Sequence, residues 1–287
     1  MNQSGLSFLT FVCAGSFLFS CNSESSSKEE TKTADSPSAP TPSASARPVH
    51  WNYSEEEGPT HWAVLTPVYA LCGSGKTQSP INLLPDANKG ASDWKVEYTT
   101  TSLQIGHNEN VKELINNGHT IQVTTQEGSS IVYAGKRYEL KQVHFHTPSE
   151  HTINGKHTPM EIHLVHQSKD DSLAVIGVLV NEGRHNSNFD ELIKYLPNAP
   201  GEKKTHDSVK INISIHVPKE LYAYHYIGSL TTPPCTEHVQ WIVLKNPISM
   251  DKDQINAFSS RIGINNRPTQ SLNGRTLTMD DLHSNYK

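Results

Sequence analysis

From Leu173 to Val180 the chain reads Leu-Ala-Val-Ile-Gly-Val-Leu-Val, eight positions without a polar side chain. A short unbroken apolar run of this kind is what a central strand buried on both faces needs. Elsewhere the pattern alternates with period two: "TIQVTT" at 120–125, "QVHFH" at 142–146, "EIHLVH" at 161–166 and "VKINISIHV" at 209–217. Alternation places one face of a strand in a core and turns the other away from it. Turn signals separate the runs, among them "NNG" at 116–118, "QEGSS" at 126–130, "NGK" at 154–156 and "TTPP" at 231–234. Helical periodicity is confined to 188–196 and 251–261, the second preceded by Ser249 as a cap. The pattern predicts a mainly β single domain over residues 49–287. Its centre should be a large, twisted, mostly antiparallel sheet with a few short helices at the periphery.

The first 48 residues do not share that pattern. Residues 1–20 carry no charged side chain, and Phe8 to Phe19 is largely apolar. That is shorter than the roughly 20 residues a membrane-spanning helix needs, and it fits the apolar region of a secretory signal. The run ends "LFSC" at Leu18–Cys21, which resembles a bacterial lipoprotein signal, with Phe19 where a smaller residue is usual. The resemblance implies a signal peptide over 1–20 and lipidation of Cys21; ordinary signal-peptidase cleavage, with Cys21 incidental, is the plainer alternative. Residues 22–48 hold no aromatic and no β-branched aliphatic side chain. They cannot bury enough apolar surface to offset ordering entropy, so they read as a disordered tether of roughly 30 Å. The domain that follows would then sit outside the cytoplasm, periplasmic or at the cell surface, held to the membrane by lipid alone. The net charge of −5 offers no basic face for nucleic acid. Of four cysteines, Cys13 lies in the signal and Cys21 at the anchor, leaving Cys72 and Cys235, which would pair in an oxidising compartment.

Two of the alternating runs carry histidine. On "QVHFH", Gln142, His144 and His146 share one face while Val143 and Phe145 share the other. On "EIHLVH", Glu161, His163 and Val165 share one face, and Ile162 and Leu164 the other. If the two strands are antiparallel neighbours joined by residues 147–160, three imidazoles converge. Three nitrogen donors on tetrahedral zinc leave the fourth position for water, the form of a catalytic site. Ligand histidines commonly give their second ring proton to a carboxylate or carbonyl, and Gln142 and Glu161 each precede a candidate ligand by two positions. A lone His-x-His is more often a surface pair; a third histidine and two oriented polar residues reverse that balance. His144, His146 and Glu150 also resemble the first metal motif of the cupins, in which Glu150 would be a ligand and His163 would not. Cupins place glycines where this chain has Tyr138 and His157.

The distant stretch "GSLTTPPCTE" at 228–237 would by itself be a turn after a strand. Taken with the other segments, it makes the chain resemble the α-class carbonic anhydrases of bacterial type. The matching pieces run in family order: "HWNY" at 50–53, "GPTHW" at 58–62, "QSPIN" at 78–82, "NNGHT" at 116–120, "QVHFHTPSEH" at 142–151, "EIHLVH" at 161–166, "SLTTPPCTE" at 229–237, "QWIVLKNPI" at 240–248 and "NNRPTQ" at 265–270. Departures are Asn52 and Ala63, where glycine is common, and Asn266, where many members have tryptophan.

The resemblance implies that His144, His146 and His163 bind Zn2+, backed by Gln142, the Asn265 backbone carbonyl and Glu161. Thr231 would accept the hydrogen bond of a zinc-bound hydroxide and give its own proton to Glu150, aiming the attack on carbon dioxide. The products would be bicarbonate and a proton, with ester hydrolysis as a weaker activity. Val165, Val175, Leu230, Thr232, Val239 and Trp241 would form the substrate pocket; without the resemblance, the apolar ones read as plain core. His119 would shuttle protons beside a water network held by Tyr53, Asn117 and Gln122, although a histidine after an Asn-Gly turn otherwise reads as a solvated hairpin residue. Also implied are a Cys72–Cys235 disulfide, cis bonds at Ser79–Pro80 and Pro233–Pro234, sulfonamide and anion inhibitors at the zinc, and a homodimer. A non-catalytic binding domain on the same fold would be expected to lack a zinc histidine, and this chain lacks none.

Overall fold

The computed structural model describes residues 49–84, 96–106, 111–205 and 221–284. The expected signal, Cys21, the 22–48 tether and the strand expected over 209–217 lie outside the described residues. Among the described residues twelve strands form one sheet of mixed direction in which antiparallel pairs predominate. Parallel pairs join Leu173–Glu182 to Glu237–Leu244 and to Ile248–Met250, and Val96–Gly106 to Leu277–Ser284. The mainly β expectation holds.

The strand Leu173–Glu182, which holds the apolar run 173–180, lies inside this sheet, between Met160–Gln167 and Glu237–Leu244. Its side chains alternate between two cores. Ala174, Ile176, Val178 and Val180 enter one cluster, and Val175 and Leu179 the other. Next to it, Lys136–His146 and Met160–Gln167 pair antiparallel with His144 opposite His163. Val143, Phe145, Ile162 and Leu164 join the first cluster, so the histidines face the other way. Slipping either strand by one residue would exchange those faces. Each large apolar side chain so exposed would forfeit roughly 1.5–3 kcal/mol, which fixes the register. Ile121–Thr125 pairs with the far edge of Lys136–His146 and sets Gln122 opposite His144.

The helices are short, and their ends depart from the sequence expectation. A 3-10 turn at Ser187–Phe189 leads into Asp190–Lys194, a shorter helix than the 188–196 periodicity implies. Lys252–Ile262 is capped by Asp251 and not by Ser249, because Ser249 is still in the strand Ile248–Met250. Asp251 accepts from the Gln254 N–H at 2.8 Å, and Gln254 reaches back to the Asp251 N–H at 3.3 Å, a reciprocal capping box. Phe258 of this helix packs against Phe145, ring centroids 4.5 Å apart.

Cys72 and Cys235 form a disulfide across a sequence separation of 163. In the chain-entropy model a loop of that length is worth about 5 kcal/mol. Ser79–Pro80 and Pro233–Pro234 are cis, as is Thr147–Pro148, for which the sequence gives no sign. Among the described residues no helix is long and apolar enough to cross a membrane.

Candidate metal centre

The register of the two strands brings the rings of His144, His146 and His163 to within 4.6–5.0 Å of one another, centroid to centroid. Each ring is fixed by a partner of a different kind. His144 Nδ1 meets Gln142 Oε1 at 2.8 Å, His146 Nδ1 meets the Asn265 carbonyl at 2.7 Å, and His163 Nε2 meets Glu161 Oε1 at 2.9 Å. These acceptors claim one ring proton each, which leaves His144 Nε2, His146 Nε2 and His163 Nδ1 as lone pairs facing one point. His163 Nδ1 and His144 Nε2 stand 3.2 Å apart. Two nitrogens at zinc's usual distances in a tetrahedral shell would stand roughly 3.3 Å apart.

His146 Nε2 is buried and has no hydrogen-bond partner among the described residues. Such an orphan costs about 1–3 kcal/mol unless something else occupies its direction. Burial holds the His146 imidazole down to about 4 and also lowers His144 and His163, the neighbouring rings adding to the effect at His144. Neutral imidazoles with inward lone pairs are the donor set a zinc-sized cation requires.

Glu161 does more than hold one ligand. It is fully buried, and its Oε1 meets both His163 and His151 Nδ1, the latter at 2.7 Å. Its Oε2 accepts from the backbone N–H groups of Glu150 and His151 at 2.9 and 2.8 Å. Burial alone would push this carboxyl up, but the charges and hydrogen bonds of His151 and His163 outweigh it and hold the group well below the carboxylate range. Beyond it, His151 Nε2 meets the Tyr226 hydroxyl at 2.7 Å, and that hydroxyl donates to Ser79 Oγ at 2.9 Å. The sheet makes room with Gly177, where a Cβ would lie 3.0 Å from Glu161 Oε1. The lone glycine in the apolar run is therefore a legible signal. Sequence reasoning misses His151, Tyr226 and Ser79, although His151 stands in the same histidine-rich stretch.

Glu150 lies on the side to which the free nitrogens of His146 and His163 point. Its Oε2 is 3.5 Å from His146 Nε2 and 3.9 Å from His163 Nδ1, while Oε1 accepts the Arg267 N–H at 2.9 Å. Burial raises this carboxyl to about 7 against the opposing pull of His163, the Arg267 N–H and the Thr231 hydroxyl. Arg267, which sequence reasoning also misses, is itself buried. Its guanidinium donates to the carbonyls of Cys72 and Ser79 at 2.7 and 2.8 Å and to Gln78 Oε1 at 2.9 Å. The disulfide-bearing segment is thus tied to the residue whose N–H holds Glu150. The group of donor atoms close enough to hold one metal ion is His144, His146 and His163, without Glu150, unlike the cupin pattern.

His144 and His146 open onto a cavity of about 150 Å³. Tyr53, Asn117, His119, Gln122 and Thr232 lie in its wall, together with Trp51. His119 is delivered there by a tight turn: Asn116 Oδ1 accepts from Gly118 N–H, and Asn117 Oδ1 accepts from the N–H groups of His119 and Thr120. Gly118 sits at φ +87°, a conformation that favours glycine. Burial, then the nearby His50, lowers the His119 pKa. Val165, Val175, Val239 and Trp241 form one buried cluster with Leu230 packed against it, and the Trp241 ring lies 4.8 Å from that of His163. None of these five is in the cavity wall proper.

Known proteins resemble this chain over most of its length. Residues 57–281 match the family model of the eukaryotic-type carbonic anhydrases. The carbonic anhydrase of Nostoc is 40% identical over 237 residues, covering 81% of this chain and 86% of that protein. That of Pectobacterium atrosepticum is 38% identical over 232 residues, covering 80% and 90%. Among solved structures, the α-carbonic anhydrase of Thermovibrio ammonificans in complex with sulfanilamide superposes with a TM-score of 0.74 at 41% identity, over 80% of this chain and 99% of that one. The chain therefore belongs to the eukaryotic-type carbonic anhydrase family and is an enzyme of that kind.

Proposed function

We propose that this enzyme uses zinc to interconvert carbon dioxide with bicarbonate and a proton. The observation that carries the reading is the convergence of three ring nitrogens, each freed by a fixed partner on the other side of its ring. Zinc held there would supply a nucleophile at neutral pH by lowering the pKa of its water to about 7, a value known from carbonic anhydrases themselves.

The remaining work belongs to the chain. Gln142, the Asn265 carbonyl and Glu161 keep the three rings in the tautomers that point lone pairs inward. Thr231 orients the attacking oxygen by accepting its hydrogen bond, and passes its own proton toward Glu150. Carbon dioxide has no charge and no strong hydrogen bond to offer, so it would settle on the side of the metal nearest the apolar cluster of Val165, Val175, Leu230, Val239 and Trp241. That cluster lies beside His163 outside the cavity wall, with Thr232 in that wall. His119 takes the released proton and gives it to buffer, across waters held by Tyr53, Asn117 and Gln122. Sulfonamides and simple anions would inhibit at the metal; the sulfanilamide complex of the Thermovibrio relative supports this.

The reading extends to the N-terminus. Residues 1–20 would be the signal, Cys21 the lipidated first residue and 22–48 the tether, placing residues 49–287 outside the cytoplasmic membrane as a homodimer. The Cys72–Cys235 disulfide suits an oxidising compartment. Stopped-flow hydration of carbon dioxide by the zinc-loaded protein, with His146→Ala alongside, tests the reaction. Fast turnover in the wild type and a loss on the order of a thousandfold in the variant are expected. No hydration by folded, zinc-bound wild type would sink the catalytic reading.

A further inference from the structure

The loop that precedes the first helical turn carries a carboxylate for which the reaction has no use. Glu57 Oε2 takes hydrogen bonds from both residues that flank Trp51: Asn52 Nδ2 at 2.7 Å and His50 Nδ1 at 3.0 Å. The Asn52 N–H donates to the Glu57 carbonyl at 3.1 Å, and the indole N–H of buried Trp62 is shared between the carbonyls of Asn52 and Glu57 at 3.0 Å each. The side chain of Asn52 works in two directions. Nδ2 reaches Glu57, while Oδ1 accepts from the Ser54 N–H and hydroxyl at 2.8 Å.

Trp51 is therefore braced through its neighbours on either side. Its ring meets the edges of Tyr53 and Trp62 at centroid distances of 5.6 and 5.2 Å. Its flat face carries the His119 imidazole at 3.8 Å, the planes 8° apart. Both rings belong to the cavity that holds His144 and His146. A surface carboxylate is thus linked, through two hydrogen bonds and one stack, to the ring that would carry protons.

We propose that Glu57 is a positioning residue for proton transfer, acting with Asn52 and His50 to fix Trp51 and, through it, His119 at the cavity mouth. The proposal rests on the reading of His119 as the shuttle. Glu57 itself touches neither substrate nor metal. A stacked imidazole keeps one orientation, whereas a freed one divides its time among rotamers. Time spent turned from the cavity slows proton exit and leaves the attack on carbon dioxide alone. The two effects separate kinetically, because kcat/KM ends with bicarbonate release and kcat in dilute buffer reports the proton leaving.

The experiment compares wild type, Glu57→Ala, Glu57→Gln and His119→Ala. Glu57→Ala should lower kcat in dilute buffer about threefold, the scale of an exposed charged pair, with kcat/KM unchanged. Added imidazole buffer should restore it, and Glu57→Gln, which keeps an acceptor, should stay near wild type. A second readout needs no zinc: the NMR titration of the His119 ring in Glu57→Ala should move up toward the ordinary histidine value as the ring leaves Trp51. Unchanged kcat in dilute buffer, or a drop that imidazole does not repair, overturns the proposal. If His119→Ala needs imidazole and Glu57→Ala does not, positioning by Glu57 is wrong and the shuttle survives. If His119→Ala keeps full kcat in dilute buffer, the shuttle reading falls and takes the proposal with it.

Discussion

His146 and His185 are both held by their surroundings, and they are held for opposite ends. His185 sits on the surface with Nδ1 on Asp251 Oδ2 at 2.6 Å and Nε2 on Asp190 at 3.0 Å. Both nitrogens are engaged, and the two carboxylates raise its pKa, Asp251 more than Asp190. His146 has one nitrogen on a backbone carbonyl and the other without a hydrogen-bond partner among the described residues, and burial lowers it to about 4. A histidine surrounded by acids is therefore a poor sign of a metal site. The better sign is a neutral ring with one nitrogen spoken for and one left over, facing others like it.

The comparison breaks most sharply at Glu161. Glu161→Gln preserves size but gives one oxygen where four donors now meet two. Buried donors would be left unpaired, and a cost of about 3–5 kcal/mol in denaturant unfolding is expected. Zinc affinity, read by chelator competition, should fall roughly 10–100-fold. If neither moves, the spare nitrogen of His163 does not depend on its carboxylate. A smaller effect is expected from Gln142→Ala, since His144 is the half-buried member of the three. Zinc affinity should fall about tenfold, with stability changed by about 1 kcal/mol at most. A larger loss here than at Glu161 would reverse the ranking of the two partners.

What can be read from the sequence follows the reach of the strand period. Within one strand, two-residue spacing fixes which side chains share a face, so Gln142, His144 and His146 and the pair Glu161 and His163 are legible from the amino acids alone. The antiparallel pairing that completes the trio needs only one short connection. Contacts made across the fold carry no such period. The Asn265 carbonyl behind His146 enters only through family resemblance. Arg267 beneath Glu150, Tyr226 against His151 and Trp51 against His119 join segments that local pattern cannot bring together. The helix cap fails for a related reason: Ser249 is a good cap residue, but pairing with Leu173–Glu182 keeps it in a strand.

The smallest effect tests the surface half of the comparison. Because the folded-state pKa of His185 is raised, its contribution to stability is complete below the unfolded value near 6.5 and disappears as pH rises through the folded value. Asp251 has the opposite sign. Its carboxyl is lowered, first by the Gln254 N–H and then by His185, so its contribution is present above about 3.9 and lost in acid. The bridge should therefore matter most between about pH 4 and 6.5. In the zinc-loaded protein, the thermal unfolding gap between wild type and His185→Ala should be widest near about pH 5.5 and narrow by about pH 8. It should be small throughout, since the ring is 54% exposed and water competes for it. The buried imidazoles run the other way: in metal-free protein, acid must charge rings that burial keeps neutral, so stability falls on the side where the His185 bridge is strongest. A gap of equal size at both pH values would mean that His185 braces its loop by shape alone, and the electrostatic contrast between the two histidine clusters would not survive.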